Sequence, residues 1–370
     1  MKLSFPRALI ALAASGVPTL DALSAEERPL PPTLTPFFTP PAEYAKDFGS
    51  YPSPLRFVDG HEVHTAAEWP ERRRQILAAW TAAMGEWPPL LEAPELKVLR
   101  SEPRENFMQH RVQVQFAEDQ SSEGWLLIPS GKGPFPAVLV PFYEPETSIG
   151  LKGERRDFAP QLVRKGFVAL AIGSPGGDAR LPDIAGARCQ PLSFLGYIAA
   201  NCHRALARRP EVDAKRIGIV GHSYGGKWAL FGSALYEPFT AAVWSDPGIV
   251  WDEARPNVNY WDEWYLGREP GLARPKGVLP RTGAYRTLVE GGRDLTDLHA
   301  LLAPRPFLVS GGSEDQPERW RALNHAIAVN RLLGFTHRVG MTNRPMHDPT
   351  DESNAALVAF FEHFLGKPSE

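Results

Sequence analysis

The segment Arg216-Ile-Gly-Ile-Val-Gly-His-Ser-Tyr-Gly-Gly-Lys227 constrains this chain more than any other. A β-branched run (Ile217, Ile219, Val220) meets Gly221-His-Ser-Tyr-Gly225, and a helix-prone stretch continues from Lys227 to Tyr236. Strand, tight turn and helix follow one another with Ser223 at the apex. The flanking glycines have a steric reason. Such a turn holds its serine in a strained backbone conformation, and side chains two residues away would collide with the adjoining strand and helix. Ser223 is therefore the candidate nucleophile.

The surrounding pattern supplies a scaffold for that turn. Val112, Val114 and Phe116 alternate and face Trp125–Ile128 across a polar turn, which predicts an antiparallel pair. From residue 136 onward, apolar strands alternate with amphipathic helices. Strands are expected at Ala137–Val140, Phe167–Ile172, Ala241–Trp244, Pro306–Val309 and Arg338–Met341, with helices near 158–165, 193–208, 319–333 and 352–365. This predicts an α/β fold with a mostly parallel central sheet covered by helices on both faces.

Residues 1–24 read as a secretory signal: Lys2 and Arg7 precede the short apolar run Ala8–Ala14, and Ala22-Leu-Ser24 offers a cleavage site. A periplasmic or secreted location is expected, and the apolar run is too short to span a bilayer. Residues 25–100 read as a proline-rich arm followed by a packing helix with Trp69, Ile76, Leu77, Trp80 and Met84 at helical spacing. The catalytic domain is expected over 101–370. A net charge of −3, with Lys and Arg scattered, gives no case for nucleic acid. No metal-spaced Cys or His-Glu-x-x-His occurs, so neither metal nor other cofactor is expected. The two cysteines, Cys189 and Cys202, are left open between a pair and separate buried thiols.

A serine hydroxyl needs an imidazole to take its proton and an acid to orient that imidazole. In a strand-turn-helix site of this kind the chain order is Ser, acid, His. His61, His64, His110, His203 and His222 lie too early, while His299, His325 and His363 fall in predicted helices and His337 in or beside a strand. His347 remains, on the loop Arg344-Pro-Met-His-Asp-Pro349. Two acids end neighbouring strands: Asp315, in the position usual for this acid and favoured, and Asp246. Glu314 is the third choice. The oxyanion hole should use the backbone N–H of Tyr224 and a donor from the loop after the 137–140 strand, near Phe142 or Tyr143. Lys227 stands near where substrate oxygens would lie, and Trp261 belongs to an aromatic insertion that either stacks on sugar rings or packs internally.

Over residues 100 to 367 the chain resembles the α/β-hydrolase superfamily. Three segments are similar to microbial carbohydrate esterases of the glucuronoyl and acetylxylan group: Gly221–Lys227, Asp297-Leu-His-Ala-Leu-Leu-Ala-Pro-Arg-Pro306 and the His347 loop. Glucuronoyl esterases carry Gly-Cys-Ser-Arg-x-Gly-Lys at this turn, with the arginine helping the oxyanion. The resemblance implies a substrate-hydroxyl contact for Lys227 and places Asp246 where their acid often lies. This chain departs from it with His222 for the cysteine and Tyr224 for the arginine.

The expectation is thus an exported serine esterase acting on a small-molecule or polysaccharide ester through an acyl-enzyme, without nucleic-acid or membrane partners. One alternative is a peptidase resembling the prolyl oligopeptidases, whose repeat-built propeller has no counterpart in the repeat-free residues 25–100. The other is a non-catalytic binding protein on a hydrolase scaffold.

Overall fold

The computed structural model describes residues 28–272 and 277–366. The signal expected at 1–24 lies outside the described residues. Nine strands form one sheet: β1 (Leu96–Arg104), β2 (Phe107–Ala117), β3 (Gln120–Pro129), β4 (Phe135–Pro141), β5 (Val168–Ile172), β6 (Val212–His222), β7 (Ala241–Ser245), β8 (Phe307–Gly311) and β9 (Val339–Asn343). Their spatial order is β1-β2-β3-β5-β4-β6-β7-β8-β9. The contacts from β1 through β3 to β5 are antiparallel, and every pairing from β5 to β9 is parallel.

Helices α1 (Trp69–Met84), α2 (Pro145–Ser148), α3 (Phe158–Val163), α4 (Pro191–Ala207) and α5 (Tyr224–Leu235) precede or follow the first six strands. The remainder are α6 (Gly283–Glu290), α7 (Thr296–Leu301), α8 (Trp320–Leu332) and α9 (Asp351–Phe364). The parallel strands are buried on both faces, as a sheet covered by crossover helices requires. Strand β1 was not expected. Most of its residues are exposed, so it lacks the apolar alternation that marks a half-buried strand, and the boundary expected at 101 falls inside it.

The arm lies against α8, α9 and β9. The Phe38 ring stacks on Phe360 at 6.3 Å. Asn324 Nδ2 donates to the carbonyls of Tyr44 and Asp47, and Arg321 pairs with Asp47 at 2.6 Å. Both cysteine thiols are free and buried, which resolves the open question of a pair. Cys202 lies on the buried face of α4, and burial pushes its thiol up to about 12.

The strand order fixes where a site can form. From β4 the chain crosses to β5 on one side and then to β6 on the other, so β4 and β6 flank a topological switch. Ligands of open α/β sheets bind beyond the carboxyl ends of the strands at such a point. Pro141, Ser223, Asp246, Glu314 and His347 all lie at or just past those ends.

Candidate active site

Ser223 joins β6 to α5 with φ 54° and ψ −112°, a backbone conformation that L-residues rarely adopt. Its amide donates to Ser245 O at 2.8 Å, tying the turn to β7. The expected role of the glycines is plain. A Cβ on Gly221 would lie 2.0 Å from Gly225 O, and one on Gly225 would lie 2.2 Å from Pro141 O. Both obstacles are backbone, so neither can move aside cheaply.

The histidine loop follows β9. His347 Nδ1 donates to Asp246 Oδ2 at 2.6 Å. The ring centroid of His347 is 4.6 Å from that of His222, the residue before Ser223. Arg344, which the sequence reading passed over, pins this loop: its guanidinium donates to the carbonyls of Ser310, Gly311, His347 and Asp348. An arginine three residues before the histidine was the available signal.

The acid favoured from sequence was Asp315, and here the structure differs. Asp246 and Asp315 serve each other's loops. Asp246 Oδ1 accepts the amides of Gly312, Glu314 and Asp315 at 2.7, 3.1 and 2.9 Å. Asp315 accepts the amides of Gly248 and Ile249 at 2.9 and 2.7 Å. Both carboxylates are buried, but Asp315 has its two oxygens on the β7 loop, whereas Asp246 Oδ2, with only a long 3.3 Å contact from the Glu314 amide besides, meets His347. Burial and the charge of Asp246 push the Asp315 carboxyl upward.

Glu314 stands beside this pair. Asp246, Glu314 and His347 bring one potential ligand atom each within 4.8 Å of one another. Those atoms already serve as hydrogen-bond partners: Glu314 Oε1 accepts from Asn257 Nδ2 and Ser313 Oγ, and Asp246 is engaged as described.

His222 is buried, with Nδ1 sharing a hydrogen bond with Ser245 Oγ at 3.1 Å. Burial, then the charges of His347 and Arg344, hold it well below the usual imidazole range, so it is neutral beside His347. On the opposite wall, the Phe142 amide is taken by Ile172 O at 3.1 Å, which removes one of the two expected loop donors. The Tyr143 ring stacks on Tyr224, with centroids 4.7 Å apart.

Two expected substrate contacts are inside the protein. Lys227 is 2% exposed and its Nζ donates to Pro247 O and Asn257 O at 2.8 and 2.9 Å, over the rings of Tyr260 and Tyr265. Burial lowers it to about 8. It fastens the insertion to the turn. Trp261 is 6% exposed and packs against Tyr285, because the insertion folds its aromatics onto one another. It forms no open wall.

No family model and no curated relative matches the chain. Solved structures do. A glucuronoyl esterase from Solibacter usitatus aligns with a TM-score of 0.67 at 17% identity, over 87% of this chain and 100% of that one. A glucuronoyl esterase from Teredinibacter turnerae aligns at 0.63 and 20% identity, over 84% of this chain and 88% of that one. A putative acetyl xylan esterase from Bacteroides fragilis aligns at 0.55 and 16% identity, over 82% and 81%. At such identities the likeness is one of fold. Together with the strand order and the serine turn, it shows that this chain has the α/β-hydrolase fold.

Proposed function

We propose that this protein is an exported serine hydrolase that cleaves carboxylic esters, with carbohydrate esters of the acetyl or glucuronoyl type as its substrate class. The observation that carries the reading is the 2.6 Å bond from His347 Nδ1 to Asp246, made beside a serine held at φ 54°. With Nδ1–H committed to the carboxylate, Nε2 of His347 is the basic nitrogen. It takes the Ser223 proton as Oγ bonds the ester carbon, then returns that proton to the leaving alcohol as the C–O bond breaks. Water repeats the sequence and frees the acid. Asp246 orients the ring and stabilises the imidazolium. The Tyr224 amide, first in α5, donates to the oxyanion. The carbohydrate class rests on the neighbours just named.

The test is chemical labelling and turnover. A fluorophosphonate should label the parent protein and not Ser223→Ala. Aryl acetate, methyl glucuronate ester and peptide anilide should then be compared, with the two esters turned over and the anilide not. Labelling retained in Ser223→Ala would refute the mechanism.

A further inference from the structure

We propose that His222 and Ser245 are a positioning pair for the general base, their hydrogen bond joining the serine turn to the arginine that clamps the His347 loop. This rests on the esterase reading and adds to it two residues that touch no substrate. His222 ends β6, Ser245 ends β7, and both are 1% exposed. Nδ1 of His222 and Oγ of Ser245 share a hydrogen bond at 3.1 Å. The same Oγ accepts from Arg344 Nη2 at 3.3 Å, and that nitrogen also donates to His347 O at 2.6 Å. A polar route therefore runs from the residue before the nucleophile to the backbone of the base.

Ser245 is the joint of this route. Its carbonyl takes the Ser223 amide at 2.8 Å, its hydroxyl meets His222 and Arg344, and the next residue is Asp246. One strand end thus touches the nucleophile's backbone, carries the acid and reaches the clamp on the base. Geometry fixed in advance of the reaction is what lets a serine, an imidazole and a carboxylate act as one unit.

The choice of histidine at 222 points the same way. Its ring neighbours two others: Phe142, with centroids 6.4 Å apart, and His347, with centroids 4.6 Å apart. Its Nε2 is buried with no hydrogen-bond partner among the described residues, and Asp348 Oδ1 stands off at 4.0 Å. An unpaired buried nitrogen is costly, and a phenyl ring would fill much of the same space without that cost. What imidazole adds is Nδ1, and Nδ1 goes to Ser245. The ring must also stay neutral beside a base that becomes imidazolium. Burial, then the charges of His347 and Arg344, keep it so.

Ser245→Ala removes only the hydroxyl, and His222→Phe keeps a ring but loses Nδ1. Each should lower kcat on an aryl acetate about tenfold, the worth of one hydrogen bond, with KM changed by less than about twofold. Because both break the same link, the double variant should lose no more than either alone. The proton on His347 Nδ1, in its 2.6 Å bond to Asp246, should give a far-downfield NMR resonance in the parent. That resonance should broaden or move upfield in both variants, a readout that needs no substrate. Additive losses, a Ser245→Ala rate within about twofold of the parent, or an unmoved resonance would each overturn the proposal. Should His222→Phe fail to fold, the rate and resonance of Ser245→Ala decide alone. Inactive Ser223→Ala in the same series would leave the esterase reading standing whatever the pair does; full activity in Ser223→Ala would instead remove that reading.

Discussion

His347 Nδ1 and Asp246 Oδ2 are 2.6 Å apart across 101 residues of chain, joining the loop after β9 to the end of β7. That bond skips β8, whose own terminal carboxylate, Asp315, holds backbone amides of the β7 loop. The two acids divide the work. One orients an imidazole and the other shapes the loop from which the first projects.

Substituting them separately should expose that division. Asp246→Asn should lower kcat by about 10³- to 10⁴-fold, because the amide favours the wrong tautomer of His347. Asp315→Asn should change kcat by less than about tenfold but cost about 1–3 kcal/mol, by leaving a buried amide without its acceptor. Steady-state rates and urea melts on both variants are the measurement, and the reverse pattern would exchange the roles.

Lys227→Met asks whether that lysine touches substrate. The structure predicts a loss of about 1–3 kcal/mol for each buried carbonyl left without a donor, at Pro247 and Asn257. Any rate loss should be the same for an aryl acetate and a sugar ester. A defect confined to the sugar ester would mean the ammonium reaches a substrate hydroxyl.

Gly225→Ala tests the close approach of β4 to the turn. With Cβ placed 2.2 Å from Pro141 O, the strand end or the turn must move. Destabilisation above about 4 kcal/mol is expected, in the range reserved for strained backbone and overpacked cores. Chemical denaturation together with loss of fluorophosphonate labelling would show it. Near-parental stability would mean that β4 has room to withdraw.

Acid should weaken the fold through its buried histidines. Burial, with the charge of His325, lowers His299 to about 3. Its folded pKa is depressed, so the unfolded chain binds the extra proton. The stability it contributes is complete above about pH 6.5 and is lost as pH falls toward 3. His299→Phe, filling the space between Trp244 and Phe307, should flatten the dependence in that window by about 1.4 kcal/mol per pH unit. Melts taken across that window will decide; an unchanged slope would mean His299 titrates normally.

By itself the sequence determined the architecture and the turn. Parallel strands buried on both faces read as short apolar runs, and the amphipathic helices between them carry a 3.6-residue period; both signals are local. The turn was legible because Gly221 and Gly225 are required by contacts within one strand, one bend and one helix. His347 could be reached by elimination because chain order restricts the choice. Strand β1 was not legible, since solvent on most of its length removes the apolar pattern.

Only the tertiary structure decided among groups whose chemistry is alike and whose positions are equivalent along the chain. Asp246 and Asp315 both end parallel strands beside the turn, and which carboxylate oxygen is left for His347 depends on the amides of the neighbouring loop. Lys227 and Trp261 look like substrate contacts until the insertion closes over them. Tyr143 looks like one loop residue among several until its ring is seen stacked on Tyr224. Direction and burial are properties of packing between distant segments, and no local pattern encodes them.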